Sequence, residues 1–172
     1  MKTFLLTLLL LMFSQQNPIH IAQVDTKAKV AFTIKNMGIS VKGVFTDFKF
    51  ESEFNKNELN NSFINASIRA NSIDTDNSKR DKDLKKAKYF GVDQFPLIKF
   101  TSTKIDKQTE NTYLLEGNIT VKNISKKIII PLEIDDNNFL KANFELNRLD
   151  YKVGSKNWIM SEIVFVEVFC QL

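Results

Sequence analysis

TYLLEGNITV, residues 112–121, places Tyr113, Leu115, Gly117, Ile119 and Val121 on one side. A period of two is the period of a strand with one buried face. The segment is long enough to cross a sheet, and KIIIPLEI follows it closely at residues 127–134. The same pattern recurs outward in both directions. KVAFTIK, residues 29–35, sets Val30, Phe32 and Ile34 against Ala31, Thr33 and Lys35, and Asn36, Met37 and Gly38 break it as a turn before ISVKGVF. SFINASIRANSI, residues 62–73, sets Ile64, Ala66, Ile68 and Ala70 against Asn65, Ser67, Arg69 and Asn71. In DFKFESEF, residues 47–54, the placing of Phe48, Phe50, Glu51 and Glu53 predicts a bulge or a change of face near Phe50 and Glu51. PLIKFTSTKI opens with Pro96, an allowed first position for proline in a strand. FLKANFELNRLDY and IVFVEVF complete the series, the last apolar on both faces apart from Glu167. Eight or nine closely spaced strands joined by short polar turns predict an antiparallel sandwich or barrel.

The exception is SKRDKDLKKAKYFGVDQFPLIKF, residues 78–100. Lys79, Arg80, Lys82, Lys85, Lys86 and Lys88 stand against Asp81 and Asp83, a balance equal to the net +4 of the whole chain. Ser78 can cap a helix with Asp81 in the capping-box position, acids early and lysines late suit the helix dipole, and Gly91 supplies the stop. Leu84, Ala87 and Phe90 or Gly91 give a narrow apolar stripe. The charge run therefore reads as the wet side of one short amphipathic helix lying on the sheet.

At 172 residues the chain suits one domain with a sizeable core. Its 15 Phe against 3 Tyr and 1 Trp supply apolar area without polar handles, for a core or for the surroundings of an apolar ligand. MKTFLLTLLLLMFSQQ has one Lys ahead of an apolar run ending at Phe13, the layout of a secretory signal peptide. The run is too short to span a bilayer, which takes ~20 residues in a helix. The expected organisation is a signal peptide over 1–20, with cleavage near 14–22, and one domain over 21–172. Export to the periplasm or outside the cell follows, and no membrane span is expected in the mature chain.

The composition excludes several chemistries. Cys170 is the only Cys and His20 the only His, so a disulfide framework, a metal site and a Ser–His or Cys–His nucleophile all lack their parts. His20 lies beside the expected cleavage point, outside the expected folded body. Asp135 and Asp136 fall in a turn. No glycine-rich phosphate loop occurs. The lysine run permits nucleic-acid binding by charge, but no aromatics are interleaved with it as stacking platforms. An outer-membrane barrel would show an uncharged outward band, which Lys35, Lys99, Glu116, Glu133 and Glu145 interrupt. An eight-stranded barrel can be filled by side chains or can hold one small ligand, and periodicity does not separate the two.

The order of motifs resembles the YceI-like family of exported, lipocalin-like lipid-binding proteins. Arg80-Asp81, Leu84, Tyr89-Phe90, Phe95-Pro96 and then Ile98, Phe100 and Ser102 carry the strongest match. KVAFTIKNMGISVKGVF, LEGNITVKNISKKIIIPLEI and FELNRLDYKV flank it, from about Asp25 to Phe169. The resemblance implies an all-β, antiparallel, lipocalin-like eight-stranded barrel with one short helix. It also implies a tunnel for an isoprenoid-type lipid, a polyisoprenoid or an isoprenoid quinone, with no catalysis and no cofactor. Three positions depart from the family pattern. Asp83 stands where a His is usual, Gly91-Val92 where an acid follows the Phe, and Lys152-Val153 where a Gly is usual.

Expected tunnel residues are Phe32, Ile34, Phe45, Ile64, Ile68, Phe100, Leu115, Ile119 and Phe144, each of which is equally suited to an ordinary core. Arg80, Asp81, Leu84, Tyr89, Phe90 and Phe95 are expected at the mouth, with Arg80 either meeting a polar head group or pairing with Asp81 or a nearby loop. The expected function is sequestration or transport of the lipid, with a homodimer possible. The alternative is an enzyme acting on a lipid or a stress-related metabolite.

Overall fold

The computed structural model describes residues 20–22 and 28–172. Residues 1–19 of the expected signal segment lie outside the described residues. The elements run β1 (His20–Ala22), β2 (Lys29–Asn36), β3 (Ile39–Phe45), β4 (Phe48–Glu53), β5 (Phe63–Arg69), β6 (Ile73–Asp74), α1 (Ser78–Leu84), β7 (Leu97–Lys107), β8 (Thr112–Val121), β9 (Ile124–Ile134), β10 (Phe139–Asn147) and β11 (Met160–Gln171).

All pairings are antiparallel, in one sheet ordered β1-β4-β5-β7-β8-β9-β10-β11-β2-β3-β6. β3 and β4 stand near opposite ends of that order, yet only Thr46 and Asp47 separate them in the chain. The sheet must therefore curl until its edges meet. Hydrogen bonds at that corner tie the two sides: Thr46 N–H donates to the Ser72 carbonyl, and Arg69 N–H to the Asp47 carbonyl.

The architecture is the expected antiparallel barrel with one helix, but it has eleven strands where eight were expected. Two of the extra strands, β1 and β6, have three and two residues and are too short to show a period. The other nine are the segments read from the sequence, with ISVKGVF and DFKFESEF as β3 and β4. His20, expected outside the folded body, lies in β1 and pairs with Ser52 of β4.

The expected bulge or change of face near Phe50 is absent. β4 pairs with β5 without a break, and Phe48, Phe50 and Ser52 are buried while Lys49, Glu51 and Glu53 face out. The two glutamates simply share the outward parity. The irregularities fall elsewhere, in the register shifts between Ser102 and Lys104 of β7 and between Met160 and Val164 of β11.

The inward parity makes one core. Tyr113, Leu115, Ile119 and Val121 of β8 join Ile130, Leu132 and Ile134 of β9, and Leu140 and Ala142 of β10. The outward parity carries charge pairs, including Lys127–Glu116 at 2.6 Å and Lys29–Glu167 at 2.6 Å. Phe139 stacks on Phe169 with ring centroids 5.4 Å apart.

The helix is shorter than expected and is capped differently. Asn77, not Ser78, is the N-cap, accepting from Arg80 N–H at 3.0 Å. Asp81 does not close a capping box. Its Oδ1 accepts from the backbone N–H and the hydroxyl of Thr75, at 3.0 and 2.6 Å. α1 ends at Leu84, so Lys85, Lys86 and Lys88 lie in the turns beyond it rather than in its last turn.

Candidate functional site

Inside the barrel is a cavity of about 210 Å3. Its wall is almost wholly apolar. Phe32, Ile34, Phe45, Ile64, Ile68, Phe100, Leu115, Ile119 and Phe144 all line it, and so do Leu84, Tyr89 and Phe90 from the helix segment. The inward valines of β11, Val164, Val166 and Val168, line it as well. It stops short of Tyr113, Ile134 and Cys170, which are buried in solid core. The Cys170 thiol is pushed up to about 12 by that burial, so it is an inert apolar filler.

Two glycines shape the wall. Gly43 of β3 faces Phe32 across the β2–β3 pair, and a Cβ there would stand 2.4 Å from the ring tip. Gly117 of β8 sits against Phe100, where a Cβ would also be 2.4 Å from the ring. No side chain fits under either ring, so both Phe side chains lie flat along the wall instead of filling the barrel. Sequence reading put Gly117 on the inward face but drew nothing from it. A glycine on the buried parity of a strand is itself a sign of close approach.

The residues from α1 to β7 close one end. Leu84, Tyr89 and Phe90 are partly buried against the core. Phe90 meets Phe45 edge-on with centroids 5.8 Å apart, and Phe45 meets Phe32 at 5.8 Å. Such pairs contribute about 0.5–1.5 kcal/mol each beyond their burial. Lys122, at the β8–β9 turn, donates to the carbonyls of Ala87 and Lys152 at 2.9 and 3.0 Å. Gly154 N–H donates to the Lys88 carbonyl at 2.9 Å. Burial, with Lys152 nearby, holds the Lys122 ammonium below its ordinary value.

Three of the residues expected at the mouth do not line the cavity: Arg80, Asp81 and Phe95. Arg80 Nε donates to the Thr75 hydroxyl and Nη2 to the Thr75 carbonyl, each at 2.7 Å. Arg80 and Asp81 thus grip one buried threonine from two sides and fasten α1 to β6. Their distance from the cavity has a local cause: successive helix positions point in different directions, and Leu84 takes the inward one. Phe95 packs against Gly91 in the following turn. Asp83, at the position where the family pattern has His, pairs with Lys86 at 2.5 Å on the surface, and that bond holds its carboxyl below the usual range.

The cavity has one polar group that sequence reading did not assign. Arg148, in the short turn just after β10, continues the inward side of Phe144 and Leu146 and is the only charged residue buried among the described residues. Nε donates to the Ser161 carbonyl at 2.8 Å, Nη1 to Val153 at 2.8 Å, and Nη2 to Ser155 and Met160 at 3.1 and 3.3 Å. Among the described residues no carboxylate forms a salt bridge with it, and Glu162 acts on it only from a distance. Burial lowers its pKa, but a guanidinium stays charged. Tyr151 lines the wall beside it, its phenol pushed up to about 12 by burial. Among the described residues no cluster of His, Cys, Asp and Glu is placed to hold a metal.

Residues 23–171 match the YceI-like domain. The chain belongs to the YceI-like family. It is 32% identical over 108 residues to UPF0312 protein plu2095 of Photorhabdus laumondii, a match covering 62% of this chain and 56% of that one. The chain thus spans little more than half the length of that curated relative. Its fold is similar to that of Burkholderia cenocepacia BcnA, with a TM-score of 0.78 at 19% identity over 83% of this chain and 94% of that one. It is also similar to a polyisoprenoid binding domain from Saccharophagus degradans, with a TM-score of 0.63 at 11% identity over 83% and 91% of the two chains. At such identities the YceI-like likeness to solved structures is one of fold.

Proposed function

We propose that this YceI-like protein binds one apolar lipid chain inside its barrel and holds it out of water. The observation that carries the proposal is the cavity itself, an apolar space inside a barrel that could have been filled by side chains. Burial at about 25 cal/mol per Å2 drives the chain in, offset largely by association and ordering. The polyisoprenoid-binding neighbour supports an isoprenoid chain, free or as the tail of a quinone. The cavity is smaller than the roughly 300–1,000 Å3 of typical ligand pockets, so a long chain needs Phe32, Phe45 and Phe90 to swing aside. A polar head group would find its partners at Arg148 and Tyr151 rather than at Arg80.

No step in this reading makes or breaks a bond, and it needs no cofactor. The apolar leader supports export to the periplasm or beyond. The test is to purify the protein from its own host, extract it with organic solvent and identify the lipid by mass spectrometry. One unmodified isoprenoid per chain is expected. Absence of any lipid, with none loaded on incubation, would remove the proposal, and turnover of an added isoprenoid quinone would favour the enzyme.

A further inference from the structure

An apolar patch lies just beyond the cavity wall. Met37 is 71% exposed, Ile39 70%, Ile159 39% and Trp158 89%. Two separate segments bring these side chains together. The β2–β3 turn carries Met37 and Ile39, and the loop before β11 carries Trp158 and Ile159. Met37 N–H donates to the Ile159 carbonyl at 2.7 Å, and Asn36 pairs with both Ile39 and Met160. A single exposed Leu or Ile means little, but four large apolar groups at one place on a surface mark an interaction site.

The patch adjoins the cavity. Ile34, two residues before Asn36, and Met160, next to Ile159, both line it. The same loop supplies the Ser155 and Met160 carbonyls that hold Arg148. Its charged surroundings are basic. Lys35 and Lys152 are exposed on the segments that carry it, and Gly154 bonds the loop to Lys88 at the end of the lysine-rich helix segment. Glu162 is the acid nearby, and it is neutralised by Lys156 at 3.2 Å.

We propose that this patch seats the barrel on an anionic lipid bilayer, with Trp158, Met37, Ile39 and Ile159 in the interface and the lysines among the head groups. The inference rests on the lipid-binding reading, since a protein that takes up a bilayer lipid must meet the bilayer. Trp is suited to that depth because its ring is apolar and its N–H is wet. Exposed lysines beside an apolar face are the charge complement of anionic head groups. Docking there places Met160 and Ile34, and so the cavity, next to the acyl layer.

Trp158 is the only Trp of the chain, so its emission reports on this patch alone. The test mixes the full chain with vesicles of phosphatidylcholine and phosphatidylglycerol, and with vesicles of phosphatidylcholine alone. Emission should shift to the blue on the mixed vesicles, be quenched by brominated acyl chains, and respond less to the neutral vesicles. The double variant Met37→Ser, Ile39→Ser carries the same leader and changes only exposed side chains. It should partition at least about tenfold more weakly, a loss of about 1.4 kcal/mol. It should still take up an isoprenoid alcohol presented in detergent. Unchanged Trp emission on vesicles, or equal partitioning of the variant, would overturn the proposal. So would self-association that the variant abolishes in the absence of vesicle binding, which would assign the patch to a second copy of the chain. Failure of detergent-borne uptake with docking intact would instead strike the lipid-binding reading and leave the patch standing.

Discussion

The two ends of the barrel use the same alternation and reach opposite results. At one end Tyr113 meets Phe54 edge-on, with centroids 5.3 Å apart, and Ile134 and Cys170 are buried beyond the reach of the cavity. That end is solid. At the other, the segment after α1 lays Leu84, Tyr89 and Phe90 across the opening, and hydrogen bonds from Lys122 and Gly154 hold that segment in place. Behind it the barrel is hollow. The inward residues are apolar in both regions, so hydrophobicity does not distinguish them. The difference lies in where the rings go. Tyr113 and Phe54 pack edge-on against each other, whereas Phe32 and Phe100 lie over Gly43 and Gly117.

Substitutions should separate the two regions. Tyr113→Ala at the packed end removes a buried ring and is expected to cost about 3–5 kcal/mol, read by denaturant unfolding. If it cost no more than truncation of cavity-wall Ile34, the packed end would not be packed. Arg148→Met comes next. It leaves four backbone carbonyls without their donor, and about 3 kcal/mol of stability should go with them. A more stable variant would show that the arginine is kept for binding alone.

Gly117→Ala puts a Cβ 2.4 Å from the Phe100 ring and 2.6 Å from the Thr101 carbonyl oxygen, so the ring must leave the wall and the strand must give. The expected cost is about 1–3 kcal/mol, together with weaker uptake of a lipid chain in a binding titration. The smallest effect belongs to the outer face, which both regions share. The Lys29 ammonium lowers the Glu167 carboxyl below its ordinary 4.5. The folded value is the lower one, so the pair's stabilisation is complete above the unfolded value and is lost as pH falls through the folded one. Glu167→Gln should cost less than about 1 kcal/mol at neutral pH, and that cost should fade as the pH drops below the folded value.

Much of the barrel can be read from strand periodicity, because each inward parity needs only local sequence. The nine expected tunnel residues all lie on the cavity wall for that reason. Strand number was less legible. Bridges of two or three residues leave no period. The mouth was harder still. Arg80 and Asp81 stand out as charges, but their partner is Thr75, five and six residues earlier, and its burial is a product of the closed sheet. Arg148 was missed because its partners are main-chain carbonyls, which no side-chain pattern reveals. Hollowness was not legible at all. Parity assigns faces, and volume depends on how rings from different strands meet.

The central claim is that the hollow end takes a lipid chain, and Ala66→Phe tests it most directly. Ala66 lines the cavity, and a ring there would fill the space at little cost to the packed end. Native mass spectrometry should show one polyisoprenoid alcohol bound per wild-type chain and none bound to the variant, with both chains unfolding at similar temperatures. Equal binding by the two chains would place the lipid outside the barrel and contradict the claim.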